Sequence, residues 1–575
     1  MSSTVSDQLV DMLAEHGVER IYGIVGDSLN PVMEALRRDN RLRWVHVRHE
    51  ETASFAACAE AQLTGRLAAC CGSCGPGNMH LINGLYDAHR SAASVFALAS
   101  HIPTTHIGSD YFQETHPTHF FAECTRYCEM VSQPAQAAQV VGSALRTAQG
   151  ERGVGMVVLP GDVAAMPEQG PRHAPVRIRS SHPEPHEQDL ARLAELINRA
   201  SRVVFFCGAG CAGAREAIIS LAHKVAAPIV YTLRAKDIME ADNPLALGMS
   251  GLLGWGDATR ALHEAELPVL WGTDFPYSSF LPTHGHVVQV DTRAEALGRR
   301  VPICLGLHAD AALTAQRLLP LVRADRGDEF LSRCLSRHGR EISRLQEHVR
   351  HVDEQAPIRP EYLTKLVSDL AEPDAIFTVD TGTPVIWSAR YIQALGKRRL
   401  IGSFKHGSMA CALAMGIGAK AAFPARQVIA LCGDGGLSML PGDLLTLQQE
   451  GLAVKILVYN NSSLDLVALE QELIGMPPTG TRLAPTDYSG IARGMGINAL
   501  RVERAAELPV AVRAWLSAQE PSLLDVVVDT HALALPPDTG MLRALGLVQK
   551  LPHSALHREL DTIKRLLFGS LCSPR

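Results

Sequence analysis

The stretches Gln427-Val-Ile-Ala-Leu-Cys-Gly-Asp-Gly435 and Val454-Lys-Ile-Leu-Val-Tyr-Asn-Asn461 decide the fold. Each is a short apolar run closed by turn residues, the pattern of a strand buried on both faces. Leu440 to Gln449 between them reads as a helix, so the unit is strand, helix, strand with both strands parallel. Asp434 closes the first strand, and Asn461 closes the second 27 positions later (461 − 434). An aspartate and an asparagine at neighbouring carboxyl ends offer oxygen ligands to a hard divalent cation. Gly433 and Gly435 let the backbone come close to a phosphate. Gly-Asp-Gly alone is an ordinary turn, and Asn-Asn-Ser-Ser an ordinary loop. Their spacing on consecutive strands is what points to a site.

Around this unit the chain has room for more than one core. Its 575 residues exceed what a single hydrophobic core supports. Apolar residues make up 46% and charged residues 20%, which excludes a disordered chain. The net charge is −6 with no Lys/Arg run, which argues against nucleic acid as the main partner. The start, Met1-Ser-Ser-Thr-Val-Ser, lacks a basic region followed by an apolar one, and no stretch approaches the roughly 18 apolar residues of a membrane span. The expected location is the cytoplasm. Thirteen cysteines include Cys71-Gly-Ser-Cys74 and the pairs Cys124/Cys128 and Cys207/Cys211. No partner pair stands at zinc-site spacing, so they read as buried small hydrophobes.

Strands alternate with helices throughout, which predicts an α/β fold of three parallel-sheet domains. The expected divisions are 1–182, 183–340, 341–530 and a tail, 531–575. In the first domain Val5, Leu9, Val10 and Leu13 form a helical stripe, and Ile21–Val25 and Val154–Pro160 read as strands. The second opens with a helix near Asp189–Ala200 and a strand at Arg202–Cys207. The charged stretch 325–358 reads as a helical connection to the third. In the tail, Leu556, Leu560, Ile563 and Leu567 share one helix face while His557, Arg558, Lys564 and Arg565 take others. Such a helix docks on its own domain or lies on a membrane surface.

Arg48-His49-Glu50 ends a strand-like run, Leu42–Val47, ahead of a small-residue helix, Ala53–Gln62. Gly208-Ala-Gly210-Cys-Ala-Gly213 follows a strand and is formally the dinucleotide pattern, although no acidic residue stands about 20 positions further on in the right context. Phe112 and Met409, taken alone, read as core residues.

The Asp434/Asn461 pattern resembles the thiamine diphosphate signature. Gly72-Ser-Cys-Gly-Pro-Gly-Asn78, Ile82-Asn-Gly-Leu85, His101-Ile-Pro103, Tyr111-Phe-Gln-Glu-Thr-His-Pro117 and Gly402-Ser-Phe-Lys-His-Gly-Ser-Met-Ala410 resemble pyruvate oxidases, above all the quinone-dependent pyruvate dehydrogenases, with sibling similarity to acetolactate synthases. The resemblance implies a pyrimidine-binding, a Rossmann-like FAD-binding and a diphosphate-binding domain. It implies magnesium held by Asp434, Asn461 and the Ser463 carbonyl. Thiamine diphosphate would lie against Asp380, Gly382, Thr383, His406, Gly407, Ser408, Met409, Gly433, Gly435, Gly436, Ser462 and Leu464, with Met409 as the apolar wedge. Glu50 would bond the pyrimidine ring nitrogen, with Phe112 and Gln113 near the reacting carbon. FAD would take Gly208, Gly210, Gly213, Gly251, Leu252, Leu253, Gly254, Thr273, Asp274, Phe275, Pro276, Tyr277 and Asp291. In that family two subunits form each active site, so at least a homodimer, usually a homotetramer, is expected. The implied activity is oxidative decarboxylation of pyruvate to acetate and CO2, with electrons passing through FAD to a membrane quinone. Residues 553–568 would supply peripheral contact with the inner face of the cell membrane.

The match departs at several positions. Asp465 and Leu466 stand where relatives carry glycine and an aromatic, Lys405 where an asparagine is usual, Thr381 where an apolar residue is usual, and Ser278 where an arginine is common. Asp465 and Lys405 are candidates for a compensating ion pair. These changes leave open an altered acceptor, another 2-oxo acid or low activity. The alternatives are an acetolactate synthase-like carboligase with structural FAD and a catalytically weak regulatory relative.

Overall fold

The structure, a computed structural model, describes residues 3–170, 182–251, 253–282, 286–324, 327–350, 357–473 and 475–530, with Val176, Ile178 and Ala532 besides. Leu252 and the tail helix at 553–568 lie outside the described residues. Three six-stranded sheets follow one another along the chain. The first contains β1 (Arg20–Gly23), β2 (Arg43–His46), β3 (Ala68–Gly72), β4 (Val95–His101), β5 (Tyr127–Met130) and β6 (Val154–Pro160). The second contains β7 (Val203–Cys207), β8 (Ile229–Tyr231), β9 (Ala246–Met249), β10 (Leu267–Trp271), β11 (Val288–Asp291) and β12 (Leu305–His308). The third contains β13 (Ile376–Val379), β14 (Arg399–Gly402), β15 (Val428–Gly433), β16 (Val454–Asn460), β17 (Asn498–Val502) and β18 (Ser522–Val527).

Every pairing between these named strands is parallel, as between β15 and β16. Helices cover both faces, so central strands run apolar without alternation; β4 and β16 are buried at every position. The first and third sheets share one strand order, β2-β1-β3-β4-β6-β5 and β14-β13-β15-β16-β18-β17. The middle sheet, β12-β11-β10-β7-β8-β9, has the order of dinucleotide-binding folds. The order reverses between β1 and β3, between β7 and β10, and between β13 and β15. Ligand crevices of open parallel sheets form at the carboxyl ends of such pairs.

Local chemistry explains the differences from the sequence reading. The helix carrying Glu50 spans Glu50–Thr64 and opens three residues before Ala53, because the His49 side chain caps the Glu51 amide and two glutamates suit a helix amino end. The helix expected from Leu440 begins as a tight turn at Pro441–Asp443 and becomes α-helical at Leu444–Glu450. The connecting helix, Glu329–Arg350, starts within the second domain. The described cysteines are free; all are buried except half-buried Cys128 and exposed Cys304. Among the described residues no helix is long and apolar enough to cross a membrane.

Candidate functional site

The crevice between β13 and β15 gathers the opening motif. Asp434 starts a short helix at the end of β15. Its Oδ2 accepts the Asn461 and Ser462 amides at 3.1 and 2.6 Å, and its Oδ1 accepts the Gly435 amide at 2.7 Å. Asn461 Oδ1 accepts the Ser463 amide at 3.1 Å. Burial raises the Asp434 carboxyl, and these amides oppose the rise. Ser462 is held in the left-handed region at φ 56°, a conformation that costs a non-glycine residue energy and clusters at functional sites. Leu464 and Met409 converge on Gly435, where an added Cβ would stand 2.6 and 3.2 Å from their side chains.

Asp380 follows β13 and faces the same space. Its Oδ1 accepts the Ala412 amide at 2.8 Å, while buried Oδ2 has no hydrogen-bond partner. Burial pushes this carboxyl up to about 7. A Cβ on Gly436 would lie 2.1 Å from that oxygen, so only glycine fits. Gly382 precedes the helix Thr383–Tyr391. His406, Gly407, Ser408 and Met409 share one loop, on which His406 Nε2 meets Asn83 Oδ1 at 2.9 Å. Thr381 lies beside Asp380.

No group of three or more His, Cys, Asp or Glu side chains forms a metal cage among the described residues. One carboxylate, one amide oxygen and a loop carbonyl are a donor set for a hard cation that draws its other ligands from phosphate and water. The glycine-lined cradle and this donor set fit a magnesium diphosphate.

Glu50 belongs to a second half-site. It is 6% exposed, with Oε2 2.9 Å from His80 Nδ1. His80 stacks on His49 at 4.3 Å. Oε1 faces Gly77, where a Cβ would stand 2.9 Å away. Gln113 packs on the same loop, held at φ 62°, and its Oε1 accepts the Cys74 thiol at 3.1 Å. Phe112 is 78% exposed and is not the core residue its sequence context suggests. The hydrogen bonds of Glu50 stay in the first domain, and those of Asp434 in the third. Other residues bridge the boundary between these domains: Asp443 with Arg48 and Thr52, Asn83 with Ser408, and Ser403 with Asp87.

The described residues that the resemblance assigned to FAD follow strands of the middle sheet at their carboxyl ends. Gly208 and Gly210 follow β7 and press on Gly272 after β10; a Cβ on Gly208 would lie 2.5 Å from the Gly272 carbonyl oxygen. Gly213 has open space around it. The loop Gly251–Gly254 follows β9, with Leu253 packed on the core, and meets Phe275 from the loop Thr273–Tyr277. Asp291 ends β11, 19 positions after Gly272 (291 − 272). Asp291 thus stands on the opposite half of the sheet from Gly208, not at the position about 20 residues after the glycine turn where the dinucleotide pattern puts its acid.

Lys405 does not pair with Asp465. It lies 3.5 Å from Asp274, which also meets Arg300 at 3.1 Å, Arg299 at 3.3 Å and Arg293 at 3.7 Å. Burial favours a raised Asp274 carboxyl, but Lys405, Arg299 and Arg300 hold it below its ordinary value. The loop after β14 turns Lys405 toward the middle domain, whereas Asp465 opens the helix beyond β16. Asp465 is 8% exposed; burial, then Glu472, Asp434 and Asp529, push it up to about 7. Leu466 packs against the third-domain core, and Ser278 opens a tight turn.

Residues 3–120 match the N-terminal TPP binding domain of thiamine pyrophosphate enzymes, 190–318 their central domain and 380–526 their C-terminal TPP binding domain. The chain belongs to the thiamine pyrophosphate enzyme family. One relative is the putative thiamine pyrophosphate-containing protein YdaP of Bacillus subtilis, 32% identical over 94% of this chain and 93% of that protein. The pyruvate oxidase of Lactiplantibacillus plantarum is 30% identical over 90% of this chain and 88% of its own length. Acetolactate synthase isozyme 1 large subunit of Escherichia coli is 27% identical over 93% and 95%. In this thiamine pyrophosphate enzyme the cradle between β13 and β15 and the Glu50 half-site are the parts that fit the cofactor. Asn83 and Ser403 lie within quoted motifs but took no role there, and Asp87 and Asp443 were not singled out, because the partners that matter lie in another domain, hundreds of positions away. Only the spacing of Asn83 and Asp87, one helical turn apart, hinted at a shared face.

Proposed function

We propose that this thiamine pyrophosphate enzyme decarboxylates pyruvate oxidatively to acetate and CO2, passing electrons through FAD to a membrane quinone. The observation that carries the reading is a dinucleotide-type middle sheet, with Gly208 against Gly272 and Asp291 at the β11 end, in a chain that also holds both thiamine half-sites. The 30% identity to a pyruvate oxidase supports the substrate and reaction class.

When bound, thiamine diphosphate supplies an electron sink for the carbon that loses CO2, and FAD takes up the two electrons. Asp434, Asn461 and the Ser463 carbonyl would hold magnesium, which would neutralise charge on the diphosphate. Met409 and Leu464 give an apolar wall over Gly435. Glu50 keeps Oε2 on His80, leaving Oε1 to hold a proton at the pyrimidine ring nitrogen, general acid–base work by a buried carboxyl. Gln113 spends its carbonyl oxygen on Cys74, so its Nε2–H donates to the substrate carboxylate. Phe112, on the same loop, would set an apolar ring beside the reacting carbon, leaving water free to reach that carbon and release acetate.

A second copy completes each site in this reading. Met79 and Phe112 beside one half-site, and Met439, Val467 and Met476 beside the other, are exposed in the single chain, apolar surface suited to a homodimer, itself paired into a homotetramer. Peripheral membrane contact through 553–568 rests on the Leu/Arg pattern of that segment.

The competing reading is a carboligase with structural FAD. Leu466 in place of an aromatic and the 27% identity to an acetolactate synthase favour it. Product analysis with pyruvate and a soluble quinone separates the two. Acetate and CO2 in step with quinone reduction are expected; acetolactate without quinone reduction would overturn the proposal.

A further inference from the structure

The helices Glu50–Thr64 and Cys411–Ala422 occupy equivalent places in the first and third domains, each following the outermost strand beside the crevice, β2 or β14. They cross at Ala56 and Gly418, where an added Cβ would stand 2.1 Å from the Ala56 carbonyl oxygen. Their amino ends carry Glu50 and, just before Ala410 and Cys411, Met409. Each amino end is held by a buried carboxylate from the opposite domain.

Asp443, 1% exposed, brackets Glu50. Its Oδ1 accepts the Arg48 amide at 2.8 Å and its Oδ2 accepts the Thr52 hydroxyl at 2.6 Å, two residues before and two after the glutamate. Thr446 donates to Oδ1 at 2.7 Å, anchoring the carboxylate in its own domain. Asp87 is fully buried and acts on the Met409 loop through one hydroxyl. Ser403 donates its O–H to Asp87 Oδ1 at 3.1 Å, and its oxygen accepts the Gly407 and Ser408 amides at 3.1 and 3.0 Å. A hydroxyl has one donor and two acceptor lone pairs, so all of its capacity is used and the loop is wound on it. Arg234 of the middle domain, whose guanidinium donates to the Ser91 carbonyl at 3.0 Å, supplies the counter-charge.

We propose that Asp443 and the Asp87–Ser403 pair are reciprocal positioning residues, each setting from the opposite domain the catalytic element at one end of the crossed helices. The proposal rests on the reading that Glu50 and Met409 serve thiamine diphosphate. Asp443 governs proton handling by Glu50, and Asp87–Ser403 governs retention of the cofactor.

The test compares Asp443→Asn, Asp87→Asn and Ser403→Ala in the full chain, with thiamine diphosphate and magnesium. The readouts are cofactor affinity from intrinsic fluorescence and exchange of the thiazolium C2 proton followed by NMR. Asp443→Asn is expected to slow exchange about tenfold with affinity within about threefold. Ser403→Ala and Asp87→Asn are expected to weaken affinity about tenfold or more, the scale seen when outer-shell partners are removed. Thr52→Val, which removes only one donor to Asp443, must slow exchange in the same direction and covers the case in which Asp443→Asn does not fold. Equal loss of both readouts in every variant, or lowered melting temperature with neither readout changed, overturns the proposal. Failure of the unmodified chain to bind thiamine diphosphate overturns it together with the functional reading.

Discussion

On the proposed function Glu50 handles the proton, and its burial beside His80 makes that role testable. Removing its proton-holding oxygen in Glu50→Gln should lower pyruvate decarboxylation about 10²- to 10⁴-fold with unchanged circular dichroism; near-parent turnover would remove it from the mechanism. Asp87 gives a second prediction through pH. Burial lifts its carboxyl from the ordinary 3.8 to about 6, so between those values the folded chain keeps a proton that the unfolded chain releases. Stability from this group therefore falls as pH rises from about 4 to about 6. Urea unfolding across that window should be flatter in Asp87→Asn than in the parent. At this scale legibility divided by reach. Asp434 and Asn461 announce themselves because both end strands of one unit. Asp87 and Asp443 do not, because what makes them matter is the other domain. Lys405 shows the same limit: its charge was visible, but its partner Asp274 was decided by how the loop after β14 turns.

Elements were legible where burial was two-sided. β15 and β16 are unbroken apolar runs closed by glycine or asparagine, and the structure places both as parallel neighbours. Helix starts were less legible, since Glu50, Glu51 and Thr52 read as loop until His49 is recognised as the cap. The crossing of the helices Glu50–Thr64 and Cys411–Ala422 was invisible in sequence, because both are rich in alanine and apolar on most faces and such helices show no preferred stripe. It depends on Gly418. The variant Gly418→Ala should force the helices apart at Ala56 and destabilise the chain by about 1–3 kcal/mol in urea unfolding; an unchanged midpoint would mean that the crossing relaxes freely.

For the whole molecule, the first and third domains repeat one strand order on either side of a dinucleotide-type sheet. The alternation of strands and helices foretold three α/β units but not this equivalence, which is a matter of strand order rather than local pattern. Within one chain the hydrogen bonds of Glu50 and of Asp434 remain in separate domains, and apolar Phe112 and Met439 face solvent. Phe112→Asp should therefore shift the chain toward monomer in light scattering; an unaltered oligomer would place the subunit contact elsewhere. In the proposed function one molecule joins thiamine-driven decarboxylation to flavin reduction. Its most direct measurement is the visible absorption of the purified protein, with thiamine diphosphate and magnesium, before and after pyruvate with oxygen excluded. A bound-flavin spectrum that bleaches as pyruvate is consumed is expected. A flavin that stays oxidised while pyruvate disappears, or no bound flavin at all, would contradict it.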